Sequence, residues 1–496
     1  MELPVALDPA SHDSLQGQLF DQFRGLVLSG RLRPGSPIPA TRELSQQLGV
    51  SRNTVLLAYD RLIAEGYLQT RPAVGTFVSP ELPEKSLTLE AGMRPGLATQ
   101  VRTSARRKIA FRGQAQAVVT SQAFDYDFRL GQPDPRSFPA RAWRRLVNRV
   151  LVAAETRFTE YRDPAGMPQL RRVIAEHLGP ARGIRVDPGQ VVIVAGCQEA
   201  LNLVARLLLR EGARVAIENP AYQGSAFLFR SYRAKFVPVP VDANGICVEA
   251  LPATGTAFAC VTPSHQYPMG FTLSLERRLR LLDWAQRTGS YIIEDDYDND
   301  IRYHGSPLAA LMGLDSSGSV IYVGTFSNSI GAGLRLGYLV VPPHLVAPAR
   351  TVKALLNDGH PWLDQAVMAE FITGGAFKHH LRRLRRMYGA RRDCLVENLR
   401  RHFGEAALSG TESGMHVAWQ LPGGFPRATG FQAMAARRGV GIYSLPSGPA
   451  CDFGGCAYSG RTVILGYSSL DERGIEAGIA RVAQALDAWR RSGRPE

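Results

Sequence analysis

Between residues 191 and 341 the chain repeats one unit: an apolar run of three to five residues, then a stretch patterned as helix or loop. The runs fall at 191–194, 214–217, 257–261, 291–293, 320–323 and 337–341, and helical spacing marks 198–210 and 275–288. A strand apolar on both faces has to be covered on both, and parallel neighbours need crossover connections, which helices supply. The spacing therefore predicts an α/β body on a mostly parallel sheet covered on both faces. A long helix over 377–403 and a smaller α/β portion complete it.

Composition narrows the class. Hydrophobic residues make up 45% and charged residues 21% of the chain, which excludes global disorder and fibrous repeats. No run approaches the ~18 apolar residues of a membrane span. Residues 1–11 carry Glu2 and Asp8 and lack the apolar centre of a signal peptide. The six cysteines are too few for a disulfide scaffold, and none is spaced Cys-x-x-Cys. Cys451 and Cys456 have no histidine near them in sequence. The expectation is a reduced cytoplasmic chain with no metal site and no membrane partner.

The first 80 residues have a different texture. Leu15, Leu19, Phe23, Leu26 and Val27 recur at helical spacing and Gly30 follows. A short helix is expected from Thr41, its candidate N-cap, to Leu48, with Gly49 as its stop. Ser51 then caps a third helix over 52–65. Two short helices around Gly49-Val50 make a helix-turn-helix, and 67–70 with 76–78 make a small wing around Pro72 to Gly75. The first turn of the third helix, Ser51-Arg52-Asn53-Thr54, offers hydroxyls, an amide and a guanidinium to base edges and phosphates. A structural helical domain with a polar cap is the plain alternative.

The net charge of +14 favours a polyanionic partner, but residues 1–80 carry seven basic and seven acidic side chains. A local face can be basic while the module is balanced. Only five of the 58 cationic residues are lysine: Lys85, Lys108, Lys235, Lys353 and Lys378. Residues 81–125, with prolines, glycines and the basic Arg106-Arg107-Lys108, read as a linker. Their charge serves solubility or phosphate contact. The helix over 377–403 carries nine Lys or Arg against two acids, which reads as a solvated face or a second DNA-facing surface.

Polar residues cluster where the strands of the body end. Gly196-Cys197-Gln198 opens a helix, a place where backbone N–H groups cradle a phosphate. Tyr222 could stack on a flat ring. After another strand, Asp295 could pair with a protonated ring nitrogen and Tyr297 with a ring hydroxyl. Thr325, Ser327 and Arg335 supply hydroxyls and a guanidinium for a phosphate.

Two resemblances organise these motifs. The run Ser29-Gly30-Arg31-Leu32-Arg33-Pro34-Gly35, Thr41-Arg42-Glu43-Leu44, Val50-Ser51-Arg52-Asn53-Thr54-Val55, Leu62 to Leu68 and Gly75-Thr76-Phe77-Val78 resembles the winged helix-turn-helix of the GntR family of bacterial regulators. The resemblance implies a double-stranded DNA operator as partner, with Arg42, Ser51, Arg52, Asn53, Thr54 and Gly75 as contacts. The strand-end residues, with Gly131-Gln132-Pro133-Asp134, Tyr161 to Gly166, Thr262 to Pro268 and Gly333 to Tyr338, resemble a fold-type I, class I aminotransferase body. Together they resemble a MocR-type regulator, divided as a DNA-binding domain over 1–80, a linker over 81–125 and an aminotransferase-like effector and dimerisation domain over 126–496.

The second resemblance implies pyridoxal 5′-phosphate as cofactor. Gly196, Cys197, Gln198, Thr325, Ser327 and Arg335 would lie at the phosphate, Tyr222 on the ring face, Asp295 at the ring nitrogen and Tyr297 at the ring hydroxyl. Arg461 would take an effector carboxylate. A head-to-tail homodimer follows, with Tyr161 reaching the neighbour's site.

One position departs from the pattern. The family places its Schiff-base lysine two residues after Phe326; here that residue is Asn328, and Ser329-Ile330-Gly331-Ala332-Gly333 departs from the usual Thr-Leu-Ala-Pro-Gly. An amide nitrogen is no nucleophile, and no lysine lies between Lys235 and Lys353. No catalytic residue is therefore expected. The cofactor would be held without a covalent bond, joined to a free amine or in its amine form, or the pocket would serve another small-molecule effector. Three readings stand: a regulator that senses a small molecule, an aminotransferase with a DNA-binding appendage, and a constitutive DNA-binding dimer with a degenerate body. Asn328 weighs against the second; Asp295, Tyr297 and Arg335 weigh against the third.

Overall fold

The computed structural model of the chain describes all residues except 1–3, 10, 12, 73, 83–123, 155–156, 299, 304–308 and 492–496. Most of 81–125, including Arg106-Arg107-Lys108, lies outside the described residues. The chain divides into two compact units, 1–108 and 109–496.

The first unit is three helices and a hairpin: α1 (Leu15–Leu28), α2 (Thr41–Leu48), α3 (Arg52–Ala64), β1 (Leu68–Arg71) and β2 (Gly75–Val78). One stripe of α1, Leu19, Phe20, Phe23, Leu26 and Val27, meets Leu44 of α2 and Val55, Ala58, Tyr59 and Leu62 of α3. Burying each large apolar side chain contributes about 1.5–3 kcal/mol, so this shared core orients α3. The Ser51 hydroxyl accepts the Thr54 N–H at 3.1 Å, a cap worth about 1 kcal/mol. Thr41 does not cap α2. The helix begins at Thr41 with Ala40 in the cap position, and the Thr41 hydroxyl accepts from Arg52 Nε at 3.4 Å. Residues 36–38 also run beside β2: Val78 donates to the Ser36 carbonyl and Thr76 accepts from the Ile38 N–H.

The second unit is built on an eight-stranded sheet. Its members are β3 (Val191–Val194), β4 (Arg214–Asn219), β5 (Lys235–Asp242), β6 (Gly245–Ile246), β7 (Thr256–Val261), β8 (Tyr291–Asp295), β9 (Val320–Thr325) and β10 (Gly337–Val340). The order across the sheet is β3-β10-β9-β8-β7-β4-β5-β6. β10 runs antiparallel to both its neighbours and β6 is antiparallel to β5; the remaining pairs are parallel. The apolar runs of the sequence are the central strands, and helices α4 (Cys197–Leu208) and α5 (Leu275–Thr288) follow β3 and β7 in the chain.

β5 lies outside those apolar runs. It contains Pro238 and Pro240, which lack a ladder N–H, and the open side of the sheet tolerates them. The Pro240 carbonyl accepts from Cys247 N, away from β4. A residue's N and C=O face the same neighbour in a strand, so both missing donors point outward.

The smaller portion packs helix α6 (Ala376–Phe403) on a four-stranded antiparallel sheet that includes β11 (His416–Gln420) and β12 (Thr462–Gly466). Leu384, Tyr388, Leu395 and Leu399 of α6 meet Val417, Trp419, Val463 and Leu465. Two of the basic residues of α6 are not on a solvated face. Arg391 is buried against Asp134 at 2.6 Å, and buried Arg392 lies over the Tyr303 ring at 4.8 Å. Among the described residues no helix is long and apolar enough to cross a membrane.

Candidate functional site

A cavity of about 490 Å³ opens at the ends of the central strands. Strand geometry decides which carboxylates reach it. Successive residues of β8 point to opposite faces, and Glu294 turns inward to accept the Leu311 and Met312 N–H groups at 2.9 and 3.0 Å. Just past the strand, Asp296 pairs with Arg182 at 2.5 Å and the Tyr322 hydroxyl at 2.7 Å. Asp295 alone of the three lines the cavity. It is 5% exposed and its Oδ1 has no partner. Burial pushes its carboxyl up to about 7, against a hydrogen bond from Cys197. A buried acceptor left unpaired costs about 1–3 kcal/mol and is satisfied by a donor entering the cavity.

One end of the cavity suits an anion. Gly196, at φ +100°, turns the chain from β3 into α4, whose first N–H groups have no intrahelical acceptor. The Arg335 guanidinium lies across that turn: a Cβ on Gly196 would sit 3.3 Å from Arg335 Nη2, which donates to the Ala195 carbonyl. The Thr325 hydroxyl donates to Ser327 Oγ at 3.0 Å and accepts the Ser327 N–H at 3.1 Å. Cys197 and Gln198 line the same wall, and the Gln198 side chain donates to the Gly224 carbonyl at 3.2 Å. Tyr222 forms a side wall, edge-on to Tyr267 at 5.7 Å. Tyr297 lines the cavity while its hydroxyl donates to the His265 carbonyl at 3.0 Å, leaving oxygen lone pairs as acceptors.

The opposite end is closed by internal bonds. Asn328 Nδ2 donates to Asp298 Oδ1 at 2.6 Å and to the Tyr297 carbonyl at 3.2 Å. Burial pushes Asp298 up to about 7 against that amide contact. Among the described residues no lysine lines the cavity. Lys353 is fully buried and paired with Glu199 at 2.6 Å, and Lys235 opens β5 on the exposed surface.

Arg461 lies apart from the other residues expected at the site. It is not among the cavity residues: Nε donates to the Leu421 carbonyl at 3.1 Å and Nη2 to the Pro422 carbonyl. It precedes β12, and those two carbonyls leave β11 beside it. A guanidinium beside backbone carbonyls donates to them at short range, and this one is held there away from the cavity. Tyr161 is 93% exposed and does not line its own chain's cavity.

Sequence reasoning missed Thr262, Tyr267, Asp298, Met415 and His416 in the lining. Tyr267 belonged to a quoted motif, and its buried hydroxyl has no partner. Asp298 belongs to the acidic run that follows β8. His416 comes from β11, far along the chain, and carried no local signal. The expectation of no metal ligands rested on cysteine spacing, and the structure gathers His265, Asp298 and His416 instead.

In the first unit, Arg42, Arg52 and Asn53 are exposed together on α2 and at the start of α3. The Ser51 and Thr54 hydroxyls bond each other at 2.8 Å as part of the cap. Gly75 is exposed at φ +136° at the wing tip.

The comparisons agree with this division. Residues 15–78 match the bacterial regulatory proteins of the gntR family, and residues 127–463 match aminotransferase class I and II. An archaeal alanine:glyoxylate aminotransferase superposes with a TM-score of 0.66 at 28% identity, over 73% of this chain and 91% of that one. The α-aminoadipate aminotransferase LysN of Thermus thermophilus gives 0.66 at 29%, over 75% and 94%. The protein is thus a helix-turn-helix transcriptional regulator carrying a fold-type I aminotransferase-like body.

Its relatives share both parts. The probable rhizopine catabolism regulatory protein MocR of Rhizobium meliloti is 35% identical over 99% of this chain and 97% of its own. The transcriptional regulator TauR of Rhodobacter capsulatus is 34% identical over 98% and 100%. The pyridoxine biosynthesis regulator PdxR of Corynebacterium glutamicum is 31% identical over 98% and 99%. The chain belongs to the MocR-type branch of the GntR family.

Proposed function

We propose that this regulator senses a small molecule in its aminotransferase-like body without turning it over. One observation carries the reading: within a single cavity the buried Asp295 Oδ1 has no partner, while the residue at the lysine position is an amide bonded to Asp298 and Tyr297. The unpaired Asp295 Oδ1 fits a protonated pyridine nitrogen. The α4 N-terminus at Gly196, Cys197 and Gln198, with Thr325, Ser327 and Arg335, fits a phosphate. Tyr222 covers a ring face and Tyr297 accepts from a ring hydroxyl. These are the contacts of pyridoxal 5′-phosphate, whose ring supplies an electron sink when bound.

What this chain's residues do with it is hold and orient. Asn328 has no basic nitrogen to anchor the ring or to carry a proton at physiological pH. Retention is therefore non-covalent, and an amine-bearing effector meets no competing lysine.

The readout is DNA. Arg42, Ser51, Arg52, Asn53, Thr54 and Gly75 meet the operator, with Arg52 and Asn53 placed for base edges and Arg42 for phosphate. The working form is a cytoplasmic head-to-tail homodimer in which the exposed Tyr161 reaches the neighbour's cavity.

The deciding experiment is the ultraviolet-visible spectrum of the protein with added pyridoxal phosphate, before and after borohydride. A spectral change that dialysis removes, with no mass added by borohydride, supports the reading. A covalent adduct at Lys235 or Lys353 overturns it. In parallel, Arg52→Ala should lower operator affinity by about 1–3 kcal/mol, and Arg42→Ala should weaken all sequences and flatten the salt dependence. Unchanged binding by both variants removes the first unit from the account.

A further inference from the structure

Beneath the Asn328 end of the cavity, three buried side chains from distant parts of the chain converge. One ligand-capable atom from each of His265, Asp298 and His416 lies within 4.8 Å of the other two. Each group spends one polar atom on an outer contact. His265 Nδ1 meets the Ser413 hydroxyl at 3.1 Å. His416 Nε2 donates to the Pro268 carbonyl at 3.1 Å, which leaves Nδ1 as a bare lone pair. Asp298 Oδ1 accepts the Asn328 amide at 2.6 Å.

Two of the remaining atoms, His265 Nε2 and Asp298 Oδ2, face a common gap. His265 is 2% exposed and its Nε2 has no partner. Gly414, at φ +82°, keeps the space beside it open: a Cβ there would lie 2.7 Å from His265 Nε2 and 2.9 Å from Asp298 Oδ2. With Nδ1 of His265 donating to Ser413, Nε2 carries a bare lone pair facing the same gap as Asp298 Oδ2.

We propose that His265, Asp298 and His416 form a binding site for a divalent first-row cation of the zinc class. Two imidazoles and a carboxylate are a common donor set for such an ion. The outer contacts match how ligands are oriented elsewhere: a carbonyl and a hydroxyl on the imidazoles, an amide on the carboxylate. A tetrahedral ion with bonds of about 2.0–2.2 Å holds its ligands roughly 3.4 Å apart, so the site closes by no more than about 1.4 Å at its widest pair. Asp298 and His416 also line the cavity, which leaves the fourth position toward it. Among the described residues the only Lys or Arg in the lining is Arg335 at the anion end, so the ion would supply the positive charge an effector carboxylate needs at the other. Asn328 becomes a positioning residue for Asp298. The site stands independently of any ring in the cavity.

The test titrates the full-length, chelator-treated protein with Co²⁺, followed by Zn²⁺. The expected result is visible ligand-field absorption of tetrahedral cobalt, saturating near one ion per chain and abolished by zinc. Separate His265→Gln, Asp298→Asn and His416→Gln variants should lose the bands, with circular dichroism confirming that each is folded. Asn328→Ala should keep them and weaken affinity roughly 10-fold or more. A wild-type protein without ligand-field bands overturns the proposal whether or not the variants fold. So do bands that persist in a folded His265→Gln variant.

Discussion

The two ends of the cavity in the second unit differ in what their polar atoms are doing. At the anion and ring end, Asp295 Oδ1 is unpaired, the α4 N-terminus faces the space, and Arg335 lies over Gly196. At the other end, Asn328 is bonded to Asp298 and Tyr297, and the arginine expected for a carboxylate is held by Leu421 and Pro422. The acceptor suited to a ring nitrogen is unpaired, while the residue at the lysine position is committed to the protein itself. Groups that keep unmet hydrogen-bonding capacity in a buried space are kept for a ligand, whereas a short amide bonded to its neighbours is part of the wall.

The sharpest break of this contrast is Asn328→Lys. If the ring end is intact, restoring an amine beside it should convert a dialysable complex into a borohydride-fixed adduct at residue 328, read by intact mass. Failure to bind pyridoxal phosphate at all would show that the ring end has changed its ligand.

Next in size is the loss of the unpaired acceptor. Asp295→Asn should weaken pyridoxal phosphate binding roughly 10–100-fold, the worth of about 1.5–3 kcal/mol for a charge-assisted contact, measured by fluorescence titration. The same variant tests the electrostatics. Burial holds the folded carboxyl near 7, above its ordinary 3.8. The folded chain therefore binds more protons than the unfolded chain between about pH 4 and 7, and stability falls as pH rises through that window. In ligand-free protein, Asp295→Asn should raise the melting midpoint at pH 8 and change it little at pH 4.

Arg335→Ala should cost roughly 10-fold in cofactor affinity, less than Asp295→Asn because Arg335 is exposed and the helix N-terminus remains. Equal losses would place the phosphate on the guanidinium alone.

The smallest effect on the cavity belongs to Arg461. Arg461→Met should leave cofactor and effector binding unchanged while lowering stability by about 1–3 kcal/mol, because two backbone carbonyls lose a charged donor. An abolished effector response in a stable variant would return Arg461 to the site.

Much of this was legible in one dimension because the signals are periodic or local. The apolar runs became β3, β4 and β7 to β10, and the bounds of α5 matched its helical spacing residue for residue. Ser51 was readable as a cap, and Gly196 as the turn that opens a helix, because each needs only its immediate neighbours. β5 was hidden by prolines whose missing donors face away from β4, on the side that only the short β6 covers.

The sequence alone determined that strands and helices alternate, that a three-helix reader precedes them, and that residue 328 carries no amine, because composition and spacing act along the chain. Tertiary structure alone decided which polar residues meet. It turned Asp296 onto Arg182, carried Arg461 to the β11 carbonyls and brought His265, Asp298 and His416 together. Such choices depend on which donor finds the nearest unsatisfied acceptor in three dimensions, and a linear pattern holds no record of that distance.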